Sequence, residues 1–431
     1  MRLLIKNGRV IEPFSGVDET LDILIDGGKI VRVEPRIEDA GASVIDASRL
    51  VVAPGFIDMH THVREPGQEK KEDITSASRA AAKGGFTTIC AMPNTNPVND
   101  SRRITQYIIA ESRKRAVVNI LPVAAITKGL AGVELSDMAD LAAAGAIAFS
   151  DDGKGVQDSR LMKQALERAR SLNALIIEHC EDSSLSRGGQ MNEGPMSIRL
   201  GLPGIPAVAE DVMVARDIIL AGAAGARIHI AHLSTRGGVD LVRQAKNRNI
   251  KVTAEATPHH LILSDEALAK RDPNLKVNPP LRGSEDVQSL REAVRDGVVD
   301  VFATDHAPHS QDQKEAGFAQ APFGINGLET AVSLLLDRLV ARNLIPLMRL
   351  VEMCSTRPAQ ILGLKSKGRI SPGADADLTL LNLHQDVTVD VRNFASKSRN
   401  NPFDGWKLKG APQMTIRGGR VVYPFDFSPE T

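Results

Sequence analysis

Six side chains of metal-ligating type stand where apolar, strand-like runs end: His60 and His62 in FIDMHTH, Asp152 in IAFSDDG, His179 in LIIEHC, His232 in IHIAHLS and Asp305 in VFATDHAPH. Imidazole nitrogens and carboxylate oxygens together suit zinc or a similar borderline divalent cation. Such a cation can polarise a carbonyl and bring the ionisation of water towards neutral pH. His60 and His62 are two residues apart, so on a strand both side chains emerge on one face. Asp305 combines two abilities, because a carboxylate can bind metal and can also hold a proton beside an attacking water. These residues predict a metal-dependent enzyme.

Ligands so far apart in sequence need a frame that gathers them. Strand-like runs lie near 51–60, 86–92, 117–124, 146–150, 174–179, 227–232, 250–256 and 298–304, with helical stretches near 72–83, 100–114, 135–144, 158–171, 207–221 and 235–247 between them. That alternation is the pattern of repeated βα units around a parallel sheet. Eight such strands close a (β/α)8 TIM-type barrel, and the barrel collects the C-terminal ends of its strands around one mouth. His229, three residues before His232, is expected to face the helical layer, and Cys180 beside His179 to turn away from the mouth. Asp151 reads as a loop-capping carboxylate and Lys154 as a loop residue. His259, His260, His306 and His384 read as packing or hydrogen-bonding groups.

Before about residue 50 and after about 370 the texture changes to short strands around Gly and Pro, as in LDILIDGGKIVRVEP and MTIRGGRVVYP. Neither segment can bury much alone. Residues 1–50 with 370–431 are therefore expected to form one small, sandwich-like β-domain beside a catalytic barrel of 51–369. The long interval 257–297 is expected to lie over the active face. The polar stretch SQDQKEAGFAQ, 310–320, has the character of a moving lid as much as of a solvated loop.

The chain has 431 residues, 42% hydrophobic and 25% charged, an ordinary globular composition. Lys plus Arg equals Asp plus Glu at 53 each, so no global field draws nucleic acid or an anionic membrane, and an anionic substrate must be met locally. Three scattered cysteines without a CxxC pair point to a reducing cytoplasm. The opening MRLLIKNGRV has too short an apolar run for a signal peptide, and no stretch suits a membrane span.

HxH on strand one, His on strands five and six and Asp on strand eight resemble the amidohydrolase superfamily, as do VVAPGFIDMHTH and GRISPGADADLTLLN. The likeness spans nearly the whole chain. Many members carry a carboxylated lysine on strand four that bridges two metals, where this chain has Ser150-Asp151-Asp152-Gly153. In one branch of the dihydroorotases an aspartate similar to Asp152 takes that place, and whether it bridges two cations or serves one stays open. His62-Val63-Arg64, MPNT, VNPPLRG, TDHAPH and Ala321-Pro322-Phe323-Gly324, in that order, resemble the dihydroorotases, and SKSRNNPFDGW is similar to their C-terminal region.

The resemblance implies reversible, zinc-dependent cyclisation of N-carbamoyl-L-aspartate to L-dihydroorotate in pyrimidine synthesis. It implies one or two Zn2+ per subunit on His60, His62, Asp152, His179, His232 and Asp305, with Asp305 carrying the proton. Implied substrate contacts are His62, Arg64, Asn94, Asn278, Asp305, His309 and the backbone at Phe323 and Gly324. Arg64 would hold a carboxylate in a two-pronged grip. A homodimer and a complex with aspartate transcarbamoylase are implied by analogy alone. Two readings compete. One is a hydantoinase or allantoinase, which usually carries the bridging lysine and needs no Arg at position 64. The other is a non-catalytic dihydroorotase-like partner of the transcarbamoylase, which typically loses ligands that this chain keeps.

Overall fold

The computed structural model describes residues 2–427. Eight parallel strands follow one another round a barrel in chain order: Phe56–Thr61, Phe86–Ala91, Asn119–Ala124, Ala148–Phe149, Leu175–Glu178, Arg227–Ile230, Val252–Ala256 and Val301–Phe302. Thr61 bridges to His306, and the His62 N–H donates to the His306 carbonyl at 2.9 Å, which joins the first strand to the last. Buried Asp58 strengthens that seam. Its carboxylate accepts the Thr304 N–H at 3.0 Å and the Thr304 hydroxyl at 2.6 Å. The same bonds explain why strand eight is shorter than its apolar run, since Thr304 turns to Asp58 and Asp305 leaves extended geometry with φ of 45°.

The helices outside the wall start and bury as their sequences dictate. Ser159–Ser171 begins where Asp158 accepts the Leu161 N–H at 2.7 Å, and it buries Met162, Ala165, Leu166 and Ala169 at helical spacing. Arg236–Asn247 is capped by Thr235 and buries Val239, Val242 and Ala245. These faces meet Phe149, Ile176 and Ile228 in the main core, where a fully buried aliphatic side chain is worth about 1.5–3 kcal/mol.

Both ends of the chain enter a second sheet. Leu3–Glu12 pairs antiparallel with Val17–Asp26 and parallel with Val51–Pro54, which pairs antiparallel with Leu378–Thr388. Ile5, Ile23, Ile25, Leu378, Leu380 and Ile416 form its own core. The run predicted as one strand over 51–60 is thus two strands in two sheets, divided at Gly55. A Cβ on Gly55 would lie 2.3 Å from Thr87 Oγ1, so the chain can cross this close to strand two only without a side chain.

The 257–297 interval folds as a short helix, Pro258–Ile262, two 3-10 turns and a longer helix, Ser284–Arg295. Buried Arg282 bolts it down, donating to Asn192 Oδ1 at 3.1 Å, the Ile205 carbonyl at 3.0 Å and Ser234 Oγ at 3.1 Å. The polar stretch 310–320 is also tied. It contains the helix Gln311–Glu315, whose buried Lys314 donates to the carbonyls of Pro273 and Pro322, both at 2.9 Å. Lys276 holds the Phe318 and Ala319 carbonyls at 2.8 and 3.1 Å. Polar, Gly-containing composition suggested a moving lid or a solvated loop, and it carries no sign of the backbone carbonyls that accept from these lysines. Among the described residues no helix is long and apolar enough to cross a membrane.

Candidate active site

The six ligand-type residues converge at the barrel mouth, all of them buried. Asp152 Oδ1 lies 3.2 Å from His60 Nε2 and 3.7 Å from both His179 Nδ1 and His232 Nε2. Its Oδ2 is 3.4 Å from His62 Nε2. Asp305 Oδ1 lies 3.1 Å from His62 Nε2 and 3.6 Å from His60 Nε2. Two overlapping groups result, His60 with Asp152 and His232, and His60 with His62 and Asp305. His179 borders the first, its Nδ1 facing His232 Nε2 at 2.9 Å. Buried His60 Nε2 makes no hydrogen bond. Nitrogen lone pairs and carboxylate oxygens turned to a common centre are a donor set that fits a divalent cation.

Two of the six residues lie past their strand ends in backbone that departs from the strand. His232 has φ of 31° and Asp305 of 45°, and Arg64, just past strand one, has 65°. Such left-handed geometry costs a non-glycine residue about 1–3 kcal/mol and persists where surrounding bonds impose it. At His232 the backbone N–H donates to Glu255 Oε1 at 3.0 Å. This turn corrects the parity argument for His229. Alternation does not extend past the strand, and His229 faces Glu255 inside the barrel, at 3.0 Å, rather than the helical layer.

Three of the four rings are steadied from behind. His60 Nδ1 is 2.6 Å from Glu255 Oε1, His62 Nδ1 is 2.8 Å from Asn94 Oδ1, and His179 Nε2 is 3.0 Å from Glu181 Oε2. Asn94, expected at the substrate, therefore also orients a ligand. Glu255 and Glu181 were not foreseen. The available signals were a charged residue inside the apolar run KVTAEA and an acid two places after His179. Burial alone would raise the Asp152 carboxyl, but the His60 imidazole and the neighbouring His179 and His232 rings hold it well below the usual range. Burial opposes the same outcome at Asp305, where His60 and His62 keep the carboxylate ionised.

Beside the cluster lies a cavity of about 210 Å³ lined by His62, Arg64, Asn94, Asn278, His309 and Phe323 among others. A larger space of about 570 Å³ shares His309 as a wall but none of the six ligand-type residues. Arg64 is 8% exposed and donates from Nε to the Pro308 carbonyl at 3.2 Å. No carboxylate among the described residues forms an ion pair with it, and burial pulls its guanidinium down to about 10. Asn278 donates from its amide nitrogen to Glu181, which leaves Oδ1 buried without a partner. His309 Nε2 is 2.8 Å from the Phe323 carbonyl, and its Nδ1 is likewise buried and free.

The backbone at 323–324, expected to face a ring, is largely engaged within the protein. The Gly324 N–H donates to the Lys276 carbonyl at 2.8 Å, and its carbonyl accepts from Asn400 at 3.1 Å. Asn400 is a third unforeseen residue. It also donates to the Ala307 carbonyl at 3.0 Å and accepts the His309 N–H at 3.1 Å, so the C-terminal segment ties two pocket loops together. SKSRNNPFDGW had marked the segment without indicating this contact.

The remaining candidates lie away from the centre. Asp151 accepts the Ile126 and Thr127 N–H groups at 2.8 and 2.9 Å, as a loop cap does, while Lys154 is exposed. His260 bonds Thr257 and the Pro279 carbonyl, His306 approaches Glu72, and His384 is exposed in the terminal sheet. The Cys180 thiol turns to Asp217 on the helix Val208–Ala224.

A family profile described as Dihydro-orotase-like matches residues 48–238. A curated dihydroorotase from Pelotomaculum thermopropionicum is 51% identical over 98% of this chain and 98% of its own length. One from Syntrophus aciditrophicus is 50% identical over 99% of this chain and 100% of its own. Among solved structures, the L-hydantoinase (dihydropyrimidinase) from Arthrobacter aurescens is similar with a TM-score of 0.88 at 28% identity, covering 97% of this chain and 95% of that one. A D-hydantoinase from Thermus sp. gives a TM-score of 0.85 at 27% identity, with 99% and 97% covered.

Proposed function

The chain belongs to the dihydroorotase family and is a cyclic amidohydrolase, and on that premise we propose how its site opens and closes the ring amide of L-dihydroorotate, giving N-carbamoyl-L-aspartate and back. The observation that carries the reading is Arg64, a buried guanidinium that forms no ion pair among the described residues and lies beside two histidine–carboxylate groups. An unpaired buried charge is expensive, so the pocket is built for an anion. The ring carboxylate of dihydroorotate meets that need, and a bidentate grip fixes the ring's orientation. Asn278 Oδ1 and His309 Nδ1, both without protein partners, are placed to bond the ring's amide groups.

In this reading His60, His62, Asp152, His179, His232 and Asp305 would hold zinc, one ion or two, which the mixed nitrogen and oxygen donor set suits. When bound, such a cation supplies Lewis-acid polarisation of a carbonyl and lowers the pKa of water. Asp305, ionised and at the edge of the cavity, accepts the proton of the attacking water and delivers it to the ring nitrogen as the C–N bond breaks. The water oxygen ends in the new carboxylate. In the reverse direction Asp305 takes the proton from the attacking amide nitrogen, and the carboxylate loses its oxygen as water. Residence in the cytoplasm, with three free buried cysteines, and association as a homodimer or with aspartate transcarbamoylase belong to the same proposal.

Similarity to solved hydantoinases raises the alternative of a neutral cyclic substrate, which would leave Arg64 unpaired. Dihydrouracil, the same ring without the carboxylate, separates the two. The expected result is kcat/KM lower for dihydrouracil by about 2–5 kcal/mol, the usual cost of one missing partner of a buried charge. Equal turnover of both compounds would overturn the assignment of Arg64.

A further inference from the structure

Strand seven gives no ligand to the centre, yet its Glu255 touches two residues that do. Glu255 is wholly buried. Its Oε1 receives His60 Nδ1 at 2.6 Å and the His232 backbone N–H at 3.0 Å, while its Oε2 receives His229 Nε2 at 3.0 Å. His229 Nδ1 in turn lies 2.8 Å from the Thr253 hydroxyl. A carboxylate can only accept, so two protons are fixed: His60 carries one on Nδ1 and His229 one on Nε2.

Resting on the reading of His60 and His232 as metal ligands, we propose that Glu255 is a positioning residue for the metal centre. It sets His60 in the tautomer whose Nε2 lone pair faces Asp152 and Asp305, and it holds His232 in its left-handed backbone through the N–H bond. One carboxylate thereby fixes ligands from strands one and six, and its charge makes His60 a stronger donor. His229 and Thr253 complete the arrangement by fixing the carboxylate itself. Glutamine at position 255 would keep the volume but present an amide N–H to one of three N–H donors, releasing at least one of them.

The test is zinc affinity of the metal-stripped protein, measured by competition with a chromophoric chelator. Glu255→Gln is expected to bind about 10–100-fold more weakly than the parent. A merely structural Glu255 would lower the melting temperature of the stripped protein and leave zinc affinity unchanged, and that outcome overturns the proposal. A parent protein that binds no zinc is a different failure, because it refutes the reading of the centre itself. Should Glu255→Gln not fold, nitrogen-15 NMR of the histidine-labelled, zinc-loaded parent decides: coordination of His60 through Nε2 with Nδ1 protonated supports the role, and coordination through Nδ1 overturns it.

Discussion

The proposed metal cradle and the proposed recognition wall are built on opposite principles. All six cradle residues sit at or just past barrel strand ends, and three of their rings are steadied by Glu255, Asn94 and Glu181 at 2.6–3.0 Å. The wall is drawn from loops: Arg64 after strand one, Asn278 in the long insertion, and His309 with Phe323 and Gly324 after strand eight. Its pieces are held by Asn400, which reaches in from the far end of the chain. On that proposal the barrel fixes where chemistry happens, and long-range hydrogen bonds on loops fix what is admitted. Mutations should separate the two.

The largest effect is expected at the joint between them. Asp305→Asn should lower kcat by on the order of 10²–10⁴-fold, the usual contribution of a positioned acid–base group, in a protein that still folds. Near-normal kcat in that variant would remove the proton role. On the wall, Arg64→Met should cost about 3–5 kcal/mol in kcat/KM for dihydroorotate, since it leaves a buried carboxylate unpaired. Its zinc content should equal the parent's. A variant that loses zinc instead would show that wall and cradle are not separable.

Asn400→Ala removes bonds to three backbone groups of the wall without touching the cradle. It should raise KM by the equivalent of about 1–3 kcal/mol, the cost of stranding buried polar groups, with kcat changed little. An unchanged KM would show that the wall does not hang from this residue. The smallest effect concerns the helix Gln311–Glu315. Burial, with Lys276 adding to it, pushes the Lys314 ammonium down to about 7, whereas an unfolded lysine titrates near about 10.4. Between those values the unfolded chain binds more protons. The Lys314 share of stability is therefore greatest above the unfolded pKa and is lost as pH falls through about 7, with a slope of at most about 1.4 kcal/mol per pH unit. Urea unfolding of the parent and of Lys314→Met across this window should differ in that slope, and parallel curves would refute the shift.

The same contrast explains what the sequence made legible. The convergence of the six residues could be read because each stands near the end of an apolar run, and a barrel turns that local rule into a shared place. The barrel itself was legible from the alternation of strands and helices. Glu255 was missed because its partners, His60 and His229, are 195 and 26 residues away in sequence. Asn400 was missed for the same reason. The strand over 51–60 looked continuous because Gly55 interrupts the sheet without interrupting the apolar pattern. His229 was placed on the wrong side because alternation was carried past Ile230 into left-handed backbone at His232. The ties of the 310–320 stretch could not be read because backbone carbonyls, which leave no trace in sequence, are the acceptors of Lys314 and Lys276.

The most direct measurement is hydrolysis of L-dihydroorotate by the purified chain, followed by ultraviolet absorbance, first as isolated, then after a chelator, then with zinc restored. Turnover that disappears with the chelator and returns with zinc is the predicted result. Full turnover by the stripped protein, or none with zinc bound, would contradict a metal-dependent dihydroorotase centre built on these six residues.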